Sequence, residues 1–216
     1  MGIVEAVISG LIVSIVSGFG AIIIKSKFFS ELPLTSCRLD DQGKLYGEAI
    51  KQIINNSKRP NEVVFIQHSG HIVQREICDL LKSGINVKLY QQSPSTGIIS
   101  KSVSMKERIN RLPKDIKIVE ENTNFKGKLT IRRFRTPASL RAIFVEDKFI
   151  ILSWYSYYNN GQLRIVGSEN PGILVKKGSP KFMELKEMIS KAMISHDAES
   201  YTNDPQHLSM NITIYE

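Results

Sequence analysis

The stretch Glu62–Gln91, EVVFIQHSGHIVQREICDLLKSGINVKLYQ, decides the fold of the chain. It opens with Glu62–Gln67, a short β-branched and aromatic run that is typical of a buried strand. His71–Lys82 places apolar side chains at helical spacing. Ser83-Gly84 then ends that helix, and Asn86–Gln91 predicts a second strand. A strand, a helix, a glycine stop and a strand predict a βαβ unit whose two strands run parallel.

The segments on either side of this unit extend the same sheet. Helical spacing predicts a helix over residues 44–55 before it and another over 181–193 near the end of the chain. Short apolar runs predict strands at residues 116–119, 128–134, 142–145, 149–154 and 172–176. Glu146–Lys148 predicts a hairpin turn between two of these strands, and residues 208–215 predict an edge strand. The fold class is α/β, with a mixed β-sheet flanked by helices.

The N-terminus predicts a single transmembrane helix before this domain. Residues 6–24, AVISGLIVSIVSGFGAIII, carry no charge, and with the preceding residues they are long enough to cross a hydrocarbon layer about 30 Å thick. A cleaved signal peptide would need a positive charge before the apolar run, where this chain has Glu5. Lys25 and Lys27 follow the run, so the positive-inside rule places the remainder of the chain in the cytoplasm.

These features divide the chain into three parts. Residues 1–27 are a transmembrane anchor, residues 28–43 a linker, and residues 44–216 a cytoplasmic α/β domain. The expected location is the inner membrane, single-pass, with the N-terminus outside. The expected partners are therefore the membrane itself and other copies of the chain.

Small residues recur at one spacing within the predicted span. Gly10, Ser14 and Gly18 fall every four residues and share one helical face. Such spacing lets two helix backbones approach closely in lipid, which predicts self-association of the span. The alternative is that glycine and serine are simply common in membrane helices.

Composition argues against a disulfide or metal scaffold. Hydrophobic residues make up 42% and charged residues 23% of the 216-residue chain, which is ordinary for a globular protein. Cys37 and Cys78 lie far apart and belong to no metal-ligand pattern, so we expect two reduced thiols. No phosphate-binding or nucleophile-elbow motif is present, and we expect neither a metal nor a cofactor.

Two histidines mark the point where the first strand of the βαβ unit ends. His68 and His71 bracket Ser69-Gly70, and α/β folds place ligands at the carboxyl ends of such strands. They are therefore candidate ligand-binding residues. The alternative is a helix N-terminus capped by serine and histidine side chains.

A basic stretch supplies further candidates. The net charge is +8, and the first 27 residues contribute little to it. The arginines at this stretch that we expect to bind an anion are Arg132, Arg133, Arg135 and Arg141. The ligand would be a nucleotide, a nucleic acid or another anionic partner. The alternative is attraction to acidic lipid headgroups, worth about 1 kcal/mol per residue.

The order of these segments resembles the phospholipase D-like superfamily. Glu62–Gln91 is similar to its opening βαβ unit. Leu140–Trp154, LRAIFVEDKFIILSW, resembles its hairpin, in which an H-x-K motif leads into an apolar strand. Asn170–Leu174, followed by a helix, is similar to the segment that closes such domains.

The chain departs from that family at the residues that carry its chemistry. The resemblance implies a catalytic histidine at the position of Ser139 and a phosphate-holding lysine at Arg141. An arginine can still bind an anion, but a serine without a nearby base cannot replace an imidazole. The resemblance therefore implies a pseudoenzyme without catalytic residues.

Two functions remain open at this point. The first is a non-catalytic membrane effector or sensor that binds a protein partner or an anionic ligand, a layout found among bacterial antiphage proteins. The alternative is a membrane-anchored phosphodiesterase or nuclease of the phospholipase D-like superfamily. A scaffold subunit of a larger complex is a third option.

Overall fold

The computed structural model describes residues 37–136, 140–159, 163–167, 169–199 and 205–215. The predicted transmembrane helix and its Gly10, Ser14 and Gly18 face lie outside these ranges. Within them, no helix has the length and apolar character that crossing a membrane requires.

Helices account for much of the described chain. Asp41 begins the first of them, because its carboxylate accepts a hydrogen bond from the Lys44 amide at 2.9 Å and so caps the N-terminus. A single 3-10 turn, His71–Val73, precedes the second. The helices are α1 (Gln42–Asn55), α2 (Gln74–Lys82), α3 (Gly97–Ser100), α4 (Val103–Asn122) and α5 (Pro180–Glu199).

The strands are β1 (Cys37–Asp40), β2 (Glu62–Gln67), β3 (Asn86–Gln92), β4 (Leu129–Phe134), β5 (Leu140–Val145), β6 (Phe149–Trp154), β7 (Ser156–Asn159), β8 (Leu163–Val166), β9 (Gly172–Lys176), β10 (Gln206–His207) and β11 (Ile212–Tyr215). Strands β7 and β8 pair only with each other among the described residues, and the others form one mixed sheet in the order β1-β9-β6-β5-β2-β3-β4-β11-β10. Strands β2, β3, β4 and β11 run parallel. The predicted parallel βαβ unit and the β5–β6 hairpin are both confirmed.

Helices cover both faces of the sheet. Residues of α1, α2 and α4 pack with one set of strand side chains, and α5 packs with the alternate set. This division follows from the strand geometry, in which successive side chains point to opposite faces. The predicted mixed α/β sheet flanked by helices is confirmed.

Three segments differ from the sequence prediction. Residues 116–119 form part of α4 and not a strand, because Ile109, Leu112 and Ile116 recur at helical spacing and bury one face of that helix. Residues 37–40, which we expected in a linker, pair with β9. The terminal strand β11 lies between β4 and β10, so it is not the edge strand of the sheet.

Candidate functional site

One row of polar side chains crosses five adjacent strands at the same height. The two rows before it on this face are wholly apolar, as Phe65, Leu89 and Ile143 illustrate. The next residue on the same face of each strand is polar and no more than 8% exposed. The row, here called the polar row, consists of Arg133, Gln91, Gln67, Arg141 and Ser153, from β4 across to β6. It lies at the carboxyl ends of the parallel strands, where α/β sheets bind ligands.

Arg141 is the more deeply buried of the two charges in the polar row. Its Nε donates to Gln67 Oε1 at 3.0 Å, and its Nη1 donates to Gln42 Oε1 at 2.6 Å. The side chain is only 2% exposed, yet both acceptors are neutral amides. No described carboxylate forms an ion pair with this guanidinium, so among the residues that the structure describes it is a buried charge without a counter-ion.

Aromatic rings compensate part of this charge. The guanidinium carbon lies 5.3 Å from the Tyr155 ring centroid and 6.0 Å from that of Tyr46, and a ring face attracts a cation. Burial raises the pKa of the Tyr46 hydroxyl, and the nearby Arg141 charge opposes that rise. Tyr46 is therefore a neutral neighbour of the arginine and supplies no negative charge.

Tyr155 packs beside Arg141 and also contacts His68. Its hydroxyl accepts a hydrogen bond from the His68 backbone amide at 2.7 Å. The two rings lie 3.7 Å apart between centroids. Gly167 allows this close packing, because a Cβ there would lie 2.7 Å from the Tyr155 ring and 2.9 Å from Arg141 Nη1.

Gln91 has a structural role in the same row. Pro113 lies inside α4 and has no amide hydrogen, so it leaves the Ile109 carbonyl without its helical donor. Gln91 Nε2 donates to this carbonyl at 3.2 Å and to the Ser69 carbonyl at 2.7 Å. One side chain thus ties both α4 and the loop after β2 to the sheet.

The structure brings only some of the predicted ligand residues together. His68 and Arg141 meet at Tyr155, as described above. His71 is exposed and faces α4. Arg132 points to the opposite face of the sheet, where its Nε lies 3.0 Å from Asp197 Oδ1.

The other predicted arginines also separate. Arg133 belongs to the polar row and is 8% exposed, whereas Arg135 is exposed beyond the end of β4. Ser139 lies outside the described residues. Strand alternation explains why Arg132 and Arg133 separate, because neighbouring residues of one strand point to opposite faces of the sheet.

Sequence reasoning missed Gln42 and Gln67. A signal for Gln67 was present, since both strands of the βαβ unit are apolar runs that end in glutamine. Gln42 gave no such signal, because it reaches the site through a contact with Arg141 that is distant in sequence. In the described part of the chain, no three His, Cys, Asp or Glu residues group as a metal site requires.

Comparisons with known proteins give weak likenesses. No protein-family model matches the chain, and no curated protein matches it. The archaeal chromatin protein TrmBL2 is similar over 88% of this chain and 66% of its own, at 9% identity and a TM-score of 0.39. The chain thus spans just under two thirds of that protein.

Two phospholipase D-type proteins are also similar in structure. The phospholipase D family member Nuc from Salmonella typhimurium is similar over 76% of this chain and 93% of its own, at 8% identity and a TM-score of 0.41. NucT from Helicobacter pylori is similar over 74% and 96%, at 12% identity and a TM-score of 0.40. Likenesses of this strength say nothing about activity.

Proposed function

We propose that this chain is a non-catalytic, membrane-anchored effector or sensor. Its cytoplasmic part is a degenerate phospholipase D-like domain that binds a phosphate-bearing anion at Arg141. Its N-terminal span self-associates through Gly10, Ser14 and Gly18. The layout of one span and one such domain resembles that of bacterial antiphage proteins, and we propose that setting for it.

The buried charge of Arg141 is the observation that carries the proposal. An ion taken out of water without a partner of opposite sign costs several kcal/mol. Two hydrogen bonds to side-chain amide oxygens and two aromatic ring faces offset part of that cost, but they do not neutralise the positive charge of Arg141. An anion that binds at the polar row would supply the missing counter-charge, and a guanidinium suits the oxygens of a phosphate.

The same geometry favours binding over hydrolysis. The groups that contact Arg141 are amides and tyrosines, which are poor proton acceptors at neutral pH. The His68 ring packs against Tyr155, and that contact restricts its movement toward a bound phosphate. The resemblance places a serine where a phosphodiesterase has its histidine nucleophile.

A membrane-anchored phosphodiesterase or nuclease is the second candidate. A buried guanidinium would serve substrate binding in such an enzyme as well, so hydrolysis itself separates the two. The test is induced expression of the full-length chain, of residues 28–216 alone, and of full-length Arg141→Gln. Membrane potential and nucleic-acid integrity are recorded in the same bacterial cells.

The effector proposal expects depolarisation by the full-length chain only, with DNA and RNA intact. Arg141→Gln should reduce that response if anion binding triggers it. Breakdown of nucleic acid, above all by residues 28–216 alone, would show that the domain is an enzyme and overturn the proposal.

A further inference from the structure

The N-terminal half of α4 forms a basic cleft that the sequence prediction did not contain. Together with His71 it borders a cavity of about 800 Å³. The charged residues at this cavity, here called the α4 cleft, are His71, Lys106, Glu107, Arg108, Arg111 and Lys114. Two lysines and two arginines thus line the cleft together with one carboxylate.

Most of these cations have no counter-ion among the described residues. Arg111 pairs with Asp115 at 3.1 Å. Lys106, Arg108 and Lys114 form no ion pair with any residue that the structure describes. The opposite holds at the other end of α4, where Lys117 pairs with Glu121.

The spacing of the cations adds repulsion between them. Arg108, Arg111 and Lys114 follow one another at intervals of three residues, which makes them neighbours on the helix surface. Like charges at this spacing destabilise a helix. A bound polyanion would attract all three cations and so offset the repulsion between them.

The protein core holds the α4 cleft in place. Gln91 fixes the helix beside Pro113, and Asn110 Oδ1 lies 3.5 Å from Arg133 Nη2. Ile109 and Leu112 of the same helix are fully buried. The cations therefore stand on a rigid element and require little ordering when a ligand binds.

We propose that the α4 cleft binds the phosphodiester backbone of a single-stranded nucleic acid, without preference for base sequence. Lys106 and Lys114 are eight residues apart, which corresponds to about 12 Å along a helix and so to several phosphates of a strand. No phenylalanine, tyrosine or tryptophan of the described residues lines the cavity, so we expect phosphate contacts to outweigh base stacking. The site is separate from Arg141 and does not depend on the function proposed above.

The geometry favours a nucleic acid over a lipid surface. Interfacial helices bury a broad apolar face in the membrane, whereas the main apolar face of α4 is packed against the sheet. The α4 cleft therefore suits a strand that runs along the helix better than a membrane into which the helix would have to insert.

The test measures binding of a short fluorescent oligothymidylate by anisotropy. The full-length chain is held in nanodiscs of zwitterionic phosphatidylcholine, so that the lipid adds no anionic surface. Three unpaired cations should give a slope of log K against log salt of about −2, at about −0.7 per phosphate contact. Binding should then weaken about 16-fold between about 50 and about 200 mM salt.

Matched variants separate the α4 cleft from net charge. The triple variant Lys106→Gln, Arg108→Gln, Lys114→Gln should lower affinity at least tenfold and remove most of the salt slope. The control triple changes Lys51, Lys126 and Lys176 to Gln, which are exposed and do not line the cavity. The control should retain most of the affinity.

One further variant completes the design. Glu107→Gln should tighten binding, because it removes the one carboxylate among the described residues that line the cleft. Equal losses in both triples, or no binding by the parent chain, would overturn the proposal. Cleft-dependent binding to anionic vesicles but not to the oligonucleotide would also overturn it.

Discussion

The contact between Gln91 and the proline of α4 predicts a specific energetic coupling. The change Gln91→Leu keeps the side-chain volume but removes the donor that serves the Ile109 and Ser69 carbonyls. A buried carbonyl without a donor costs about 1–3 kcal/mol. Water can reach the half-buried Ser69 more easily than Ile109, so we expect a total loss of about 2 kcal/mol in the free energy of unfolding.

A second change, at Pro113, isolates the part of this cost that comes from the Ile109 carbonyl. Pro113→Ala restores the backbone amide that hydrogen-bonds to the carbonyl four residues earlier, which is that of Ile109. In this background Gln91→Leu no longer leaves the Ile109 carbonyl without a donor. Its cost should therefore fall by about 1 kcal/mol.

The assay is urea unfolding of the parent, both single variants and the double variant, followed by circular dichroism. The double-mutant cycle cancels the effects that each change has separately, including the gain in helix propensity at residue 113. If the two changes add within about 0.3–0.5 kcal/mol, as independent sites do, the role assigned to Gln91 is wrong.

Other predictions concern the backbone, the thiol and the span. Gly70→Ala should lower the free energy of unfolding by about 2 kcal/mol, because residue 70 has a φ of 69° and a left-handed backbone is costly for a residue with a side chain. Gly47→Ala should raise it by about 0.5–1 kcal/mol, because a Cβ at residue 47 meets nothing within 4 Å. Equal effects of the two changes in urea unfolding would contradict this prediction. Burial raises the pKa of the Cys78 thiol from 9.0 to about 11, so the thiol of the unfolded chain ionises at a lower pH than that of the folded chain. The folded state should therefore lose stability as pH rises from 9.0 to about 11. A Cys78→Ala variant with the same dependence of stability on pH would refute this prediction. Gly10→Leu and Gly18→Leu should each weaken crosslinking of full-length chains in membranes, and unchanged crosslinking in both would end the proposal of a span interface.

Local patterns predicted the elements of the sheet well. The βαβ unit followed from a strand, an amphipathic helix and a glycine stop, and the hairpin followed from two apolar runs around an acidic turn. Residues 116–119 were assigned wrongly, because four residues with two isoleucines and a valine suit a strand when considered alone. Their place in a helix becomes clear only when Ile109 and Leu112 are included.

The candidate site depended on contacts that local patterns do not contain. The two partners of Arg141 are 74 and 99 residues away in sequence, so no window of the chain shows them together. The density of arginines after residue 131 suggested one anion site, but strand alternation sends Arg132 to Asp197 on the opposite face. The unpaired cations of α4 are as close in sequence as these arginines, and they line one cleft because they lie on one helix.

The central claim is that the buried Arg141 binds an anion. Its most direct test is thermal unfolding of the full-length chain as inorganic phosphate replaces chloride at constant ionic strength. The parent chain should be stabilised progressively, by about 2.7 kcal/mol when phosphate is about 100-fold above its Kd. Arg141→Gln should lose this response, and Arg141→Lys should keep part of it because the charge remains. Equal stabilisation of the parent and Arg141→Gln, or none in either, would contradict the claim that Arg141 holds an anion.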